Sequence, residues 1–86
     1  MREAEKLFRA LANGTRLKII KILRQRPMSA IELSEQLRLS YKATHQHLSK
    51  LYSAGVLDRE RASSLVYYRL ASDLPKHIKV VLELVK

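Results

Sequence analysis

Apolar positions recur with a helical period as far as residue 54, and after Gly55 the period shortens to two. Near the N-terminus Ala4, Leu7, Phe8 and Leu11 stand at i, i+3, i+4 and i+7, which predicts an amphipathic helix over residues 3–12. Asn13 stops it and offers a side-chain oxygen to the free N–H groups of a second helix, Thr15 to Gln25. Leu17, Ile20 and Leu23 form the apolar stripe of that helix, with Ile19 and Ile22 beside it. Arg24 and Arg26 suit its C-terminal dipole, and Pro27 ends it. Ser29-Ala30-Ile31-Glu32 is a capping box that opens a short helix with Ala30, Leu33, Ser34 and Leu37 on one face. Ser40 caps a fourth helix, Tyr41 to about Ala54, and Gly55 stands where a left-handed residue is wanted. Val56 to Arg61 and Leu65 to Leu70 alternate as strands, joined by Ala62-Ser63-Ser64. Pro75 fits the first position of a last helix over residues 75–86, carrying Ile78, Val81, Leu82 and Val85, with Val80 and Leu84 widening its apolar face.

The predicted order is helix, helix, helix, helix, strand, strand, helix. This is a mainly α chain with a small β-hairpin, an α+β fold class. Two helices joined across Arg38, Leu39 and Ser40, then a basic hairpin, make a winged helix-turn-helix candidate. Nothing in the sequence reads as a linker, repeat or low-complexity tract, so residues 1–86 are expected to form one domain.

Composition changes this picture mainly through charge. Seventeen Lys and Arg against eight Asp and Glu leave +9 over 86 residues, while a hydrophobic content of 47% is too high for a disordered basic tail. A basic folded body favours a polyanionic partner, nucleic acid ahead of an anionic membrane. Residues 1–27 hold eight basic and two acidic groups, and no acidic residue occurs between Glu35 and Asp58. There is no cysteine, hence neither a disulfide nor a thiolate metal site within these residues. No apolar run approaches the ~20 residues of a membrane span, and Met1-Arg2-Glu3-Ala4-Glu5 does not begin a signal peptide. A cytoplasmic protein is expected. Nothing resembles a nucleophile–base pair, a phosphate loop or a paired-carboxylate signature, so an enzyme is not expected, and no cofactor is indicated.

On a helical wheel, Thr44, His47, Leu48, Leu51 and Ala54 of the fourth helix fall on one side, and Tyr41, Lys42, His45, Gln46, Ser49 and Ser53 on the other. The second set is polar and free of carboxylates. N-terminal residues of the second helix of a helix-turn-helix meet base edges, which makes Tyr41, Lys42, His45 and Gln46 the base-reading candidates. Gln46 suits adenine and Lys42 suits guanine. Alternation places Arg59 and Arg61 on one face of the hairpin, able to enter a minor groove or touch phosphates. Ser40, Ser49, Lys50, Ser63 and Ser64 complete the backbone-contacting set. Tyr68 alternates inward with Val66 and Leu70 and is expected in the core.

The sequence resembles the ArsR family of bacterial and archaeal repressors over roughly residues 5–71. The resemblance lies in Phe8-Arg9-Ala10-Leu11-Ala12-Asn13-Gly14-Thr15-Arg16-Leu17-Lys18-Ile19-Ile20, in Leu33-Ser34-Glu35-Gln36-Leu37, and in Ser40 to Leu51 with its His47-Leu48. It continues through Ala54-Gly55-Val56-Leu57 and Tyr68-Arg69-Leu70. It implies a DNA-binding homodimer, usually a repressor that leaves its operator on binding a metal or another signal. It also implies a dimer interface from the terminal helices: Ala4, Leu7, Phe8 and Leu11 with Ile78, Val81, Leu82 and Val85. The wide apolar face of the last helix fits this independently, because a thin core leaves few other places to bury it.

Four departures from the family's pattern carry consequences. Gly14 stands where the family often has proline, so the second helix should start less firmly. Lys42 and His45 replace small hydroxyl residues, so the base sequence read should differ. The wing tip lacks its usual glycine. The third helix has no cysteine pair, so the family's thiolate site for arsenic, cadmium or lead cannot form there. His45 and His47 lie about 200° apart on the wheel and cannot share an ion. Asp73 and His77 have only Glu83 as a further late ligand, short of the four good ligands of a closed zinc site. No metal is therefore expected, and no inducer follows from the sequence. The functional expectation is a homodimeric, sequence-specific regulator of transcription on double-stranded DNA. The alternatives are a non-specific architectural DNA-binding protein and a winged helix used as a protein-interaction module.

Overall fold

The computed structural model describes residues 2–74, 79, 80 and 83, those at 2–4 and 7 by their backbone. Helix α1 spans Arg2–Leu11 and α2 Gly14–Leu23. Asn13 sits in extended backbone between them, and its Oδ1 accepts from the N–H groups of Thr15 at 3.0 Å and Arg16 at 3.1 Å. Helix α2 ends at Leu23, two residues short of the predicted end. The Gln25 N–H bonds the Ile22 carbonyl, a tighter turn that unwinds the chain before Pro27.

The hairpin is part of a three-stranded antiparallel sheet rather than a pair. Strand β1, Met28–Ser29, adds to β3, Leu65–Leu70, on the side away from β2, Leu57–Ala62, giving the order β1-β3-β2. Met28 faces Tyr68 and Ser29 faces Tyr67. Two residues carry no period of their own, so only pairing with a distant strand makes them a strand.

Ser29 then turns directly into α3, Ala30–Leu37. Its Oγ accepts from the Glu32 N–H at 3.2 Å while Glu32 Oε1 accepts from the Ser29 N–H at 3.1 Å, closing the predicted capping box. That backbone bond, reinforced by Arg26 at 3.4 Å, holds the Glu32 carboxyl below its ordinary pKa. Helix α3 stops at Arg38, which takes the left-handed conformation at φ 56°, and the Leu39 N–H returns to the Ser34 carbonyl at 3.1 Å. Helix α4, Tyr41–Ser53, starts at Ser40, whose Oγ accepts from the Ala43 N–H at 3.0 Å. It ends in the same kind of turn. Gly55 has φ +80°, and the Val56 N–H reaches back to the Leu51 carbonyl. Lys79, Val80 and Glu83 are helical. The rest of the predicted last helix, with Pro75, His77, Ile78, Val81, Leu82 and Val85, lies outside the described residues.

The core is built from the inward faces of these elements. Ile19 and Ile20 of α2, Leu33 of α3, Leu48 and Leu51 of α4, and Val56 and Leu57 entering β2 are all but inaccessible to solvent. Tyr68 joins them, as its alternation predicts. Thr44 is the one polar residue of α4 in this layer, and its hydroxyl is satisfied by donating to the Ser40 carbonyl at 2.9 Å. Leu11 also belongs to this core, at 6% exposure. Its packing within its own chain leaves almost no surface for a partner, which corrects its expected place in a dimer interface.

Candidate nucleic-acid interface

Burying Thr44, Leu48 and Leu51 fixes the rotation of α4 and turns its polar residues outward. Tyr41, Lys42, His45, Gln46, Lys50 and Ser53 are exposed and Ser49 is half-buried. They form two i, i+4 rows. Along one, the Tyr41 and His45 rings stack at 6.0 Å between centroids, and Ser49 Oγ lies 3.5 Å from His45 Nδ1. Along the other run Lys42, Gln46 and Lys50. The helix begins with no acidic residue in its first turn, so its exposed N–H groups and dipole favour an anion there. Ser40 at the cap is exposed; its oxygen accepts from the helix while its hydroxyl proton stays free to donate.

His47 faces inward, half-buried. Its Nδ1 accepts from Arg16 Nε at 3.3 Å, and Arg16 Nη1 donates to the Arg9 carbonyl at 3.2 Å. One guanidinium thus ties α1, α2 and α4 together. Burial, and then the neighbouring Arg16 charge, lower the His47 pKa below 6.5. The His47 Nδ1 is committed to Arg16.

The hairpin approaches the same face. Leu57, Arg59 and Arg61 share one side of β2 and lie opposite Leu70, Tyr68 and Val66 of β3. At the base of the hairpin this side packs into the core; toward the tip it leaves the body and carries the two arginines. Arg59 is held in place, with its guanidinium carbon 4.0 Å from the centroid of the Tyr52 ring on α4. Arg61, Ser63 and Ser64 are exposed at the tip. Ser63 adopts φ 59° and Ser64 does not, the sign pattern of a two-residue type II′ turn, where glycine is preferred at the first position. The missing wing glycine is therefore met by a strained serine. On the outer face Arg69 and Glu60 form a diagonal cross-strand ion pair at 3.5 Å.

Between α4 and the hairpin lies a groove of about 540 Å³, lined by Tyr41 and His45 from the helix, Arg59, Arg61 and Ser64 from the hairpin, and Ile31 from α3. The structure thus brings Tyr41 and His45 of the helix together with Arg59, Arg61 and Ser64 of the hairpin, while Lys42, Gln46, Ser49, Lys50 and Ser63 do not line this groove. Tyr52 and Arg16 were not singled out by the sequence reasoning. Their partners lie across a turn and 31 residues away respectively, and no local pattern marks either pair. Among the described residues there is no group of three His, Cys, Asp or Glu able to hold a metal ion.

Known proteins share this arrangement. The sequence profile of the bacterial regulatory protein arsR family matches residues 13–59. The transcriptional activator HlyU of Vibrio cholerae is 36% identical over 78 residues, which is 91% of this chain and 69% of HlyU. The arsenic resistance transcriptional regulator ArsR1 of Pseudomonas putida is 33% identical over 90% of this chain and 61% of its own length, so the chain spans less than two thirds of that relative. The structure of Vibrio cholerae HlyU superposes with a TM-score of 0.82 at 34% identity, covering 98% of this chain and 88% of that one. The homodimeric winged helix-turn-helix DNA-binding domain of Mb0332 from Mycobacterium bovis gives 0.84 at 25% identity, over 98% and 75%. The fold is a winged helix-turn-helix, with α3 and α4 as its helix pair and β2–β3 as its wing, and the chain belongs to the arsR family of bacterial regulatory proteins.

Proposed function

We propose that this chain is a homodimeric, sequence-specific regulator of transcription on double-stranded DNA, acting in the cytoplasm as a repressor, without the family's cysteine metal site. The observation that carries this reading is the exposed, carboxylate-free face of α4, flanked by a hairpin whose two arginines project beside it. Tyr41, Lys42, His45 and Gln46 read base edges from the major groove. Ser40, Ser49, Lys50, Arg59, Arg61, Ser63 and Ser64 hold the phosphate backbone. Two such helices in a dimer enter successive major grooves about 34 Å apart, on a pseudo-palindrome.

Residues 1–86 serve as one DNA-binding domain, and its terminal helices are the dimer contacts. Phe8, 59% exposed on α1, and Val80, 60% exposed, are apolar surface of the kind such a contact buries. Ala4, Leu7, Ile78, Val81, Leu82 and Val85 complete the proposed contact; their side chains lie outside the described residues. The Mb0332 domain, similar in fold, is homodimeric.

Selection of bound duplexes from a random pool tests the reading. The expected result is an inverted repeat, with affinity falling ~10³–10⁵-fold between 50 and 200 mM salt for six to ten phosphate contacts. Equal affinity for every duplex assigns the chain to non-specific DNA coating, and no binding at low salt assigns it to protein interaction. On the selected duplex, Gln46→Ala should relax preference at one position at ~1–3 kcal/mol, whereas Arg61→Ala should weaken all sequences about equally. Uniform weakening by Gln46→Ala removes Gln46 from the reading face.

A further inference from the structure

The reading face has a second flank. Opposite the hairpin, α1 and α4 enclose a groove of about 790 Å³, larger than the one beside the wing. From α4 it is lined by His45, Gln46 and Lys50, and from α1 by Lys6 and Arg9, both exposed. Glu5 and Arg16 also line it. Arg16 is committed to His47 and the Arg9 carbonyl, so Lys6, Arg9 and Lys50 are the exposed cations available to a ligand, set against the single carboxylate of Glu5.

His45 lies on both grooves, and Gln46 faces the second. The reading face is therefore continuous with the α1 groove, and a ligand as broad as a duplex spans both. The shape of duplex DNA says what that ligand presents there. A helix in the major groove, ~12 Å wide, is walled by a phosphate backbone on each side. The wing arginines stand at one wall. Lys6 and Arg9 stand on the other flank of the same helix, where the second wall passes.

We propose that Lys6 and Arg9 of α1 bind backbone phosphates of the second strand walling the major groove that α4 enters, extending the DNA footprint beyond the helix-turn-helix and wing. This rests on the DNA-binding reading above. It gives part of the basic load of the first two helices a task that the winged helix motif does not imply. It is also compatible with a dimer contact on the same helix. On the wheel Phe8 lies about 100° from Arg9 and about 160° from Lys6, so the apolar and basic edges of α1 are separate.

Salt-dependent binding to a duplex of about 30 base pairs drawn from the selection tests the assignment. Each phosphate contact contributes about 0.9 to the slope of log affinity against log salt. Lys6→Gln/Arg9→Gln removes two contacts from each protomer of the dimer and is expected to lower that slope by about 3.6, with sequence preference unchanged, and Glu5→Gln to tighten binding. Lys18→Gln/Lys21→Gln removes the same charge from exposed positions of α2 that line neither groove, and it should leave the slope within a few tenths of wild type. A methylphosphonate placed at the contacted phosphates should weaken the wild type but not the Lys6→Gln/Arg9→Gln variant. An unchanged slope in the α1 variant overturns the assignment, as does an equal fall in the α2 control, which means overall charge is responsible. A wild type that binds no duplex overturns the DNA-binding reading itself; a wild type that binds with α1 silent overturns only this extension.

Discussion

Single residues decide where the elements start and how they are held. Asn13 lies at φ −151° and ψ 121°, the extended region that a following proline demands, and Gly14 is the first residue of α2 with nothing within 4 Å of where a Cβ would sit. The Asn13 cap is thus formed without the family's proline. Gly14→Pro, by narrowing the unfolded ensemble at a compatible site, should still stabilise the fold by about 0.4–1 kcal/mol, seen as a higher denaturation midpoint in urea. Of the two described groups with shifted pKa values, His47 is the one whose ordinary value lies near neutrality. Its folded pKa is depressed, so the native state binds fewer protons than the unfolded chain. The stability it contributes is complete above pH 6.5 and is lost as the pH falls through the folded value. Denaturation midpoints between pH 7.5 and 5.5 should show that loss, and His47→Asn, which keeps an acceptor for Arg16 but does not titrate, should flatten it. An identical pH profile in the variant would place the dependence elsewhere. The caps at Asn13, Ser29 and Ser40 were legible in the sequence because a cap is a local bond between neighbours. The Arg16–His47 bond was not, because 31 residues separate its partners.

At the scale of elements, α4 was read correctly from the wheel. Burial of Thr44, Leu48 and Leu51 fixes its rotation, and the polar face follows. The hairpin was read only in part. Alternation placed Arg59 and Arg61 on one face, but not the Tyr52 ring that holds Arg59, nor the strand β1 that completes the sheet. Both arise from approach across the fold rather than from periodicity. The Tyr52–Arg59 contact couples the wing to the reading helix. At an exposed site it is worth roughly 0.5–1 kcal/mol, so Tyr52→Leu should cost little stability. It should nonetheless free Arg59 and weaken binding several-fold on every duplex alike, as measured by fluorescence anisotropy. A change confined to one base position would instead make Tyr52 a base contact.

At the scale of the whole molecule, two surfaces are assigned to two partners. The proposed dimer contact draws on apolar residues at the two ends of the chain, and the DNA surface on α4, the wing and the inner edge of α1. Truncation after Leu74 removes the last helix while leaving intact the described core, which draws on residues up to Ala71. The truncated chain should therefore fold and sediment as a monomer, and its affinity for the full inverted repeat should fall toward that for one half. A truncated chain that still sediments as a dimer would assign the contact to α1 alone. The fold class was legible at this scale because the order of periods is global. The α1 groove was not, since Lys6, Arg9 and Lys50 are brought to one place only by the packing of α1 against α4.

The two-residue strand β1 has a mechanical consequence for the wing. It pairs with Tyr67 and Tyr68, while Leu65 and Val66 of the same strand are paired only to β2. Strand β3 is therefore paired on both edges at its root and on one edge toward the tip, with a fulcrum at Tyr67, while the outer edge of β2 is unpaired among the described residues. A load applied at Ser63 and Ser64 bends the outer ladder about that point and leaves the root, and the core beneath it, undisturbed. On the proposed reading of the wing as a DNA contact, this mount would let the tip yield to duplexes of different groove width while the core keeps its shape.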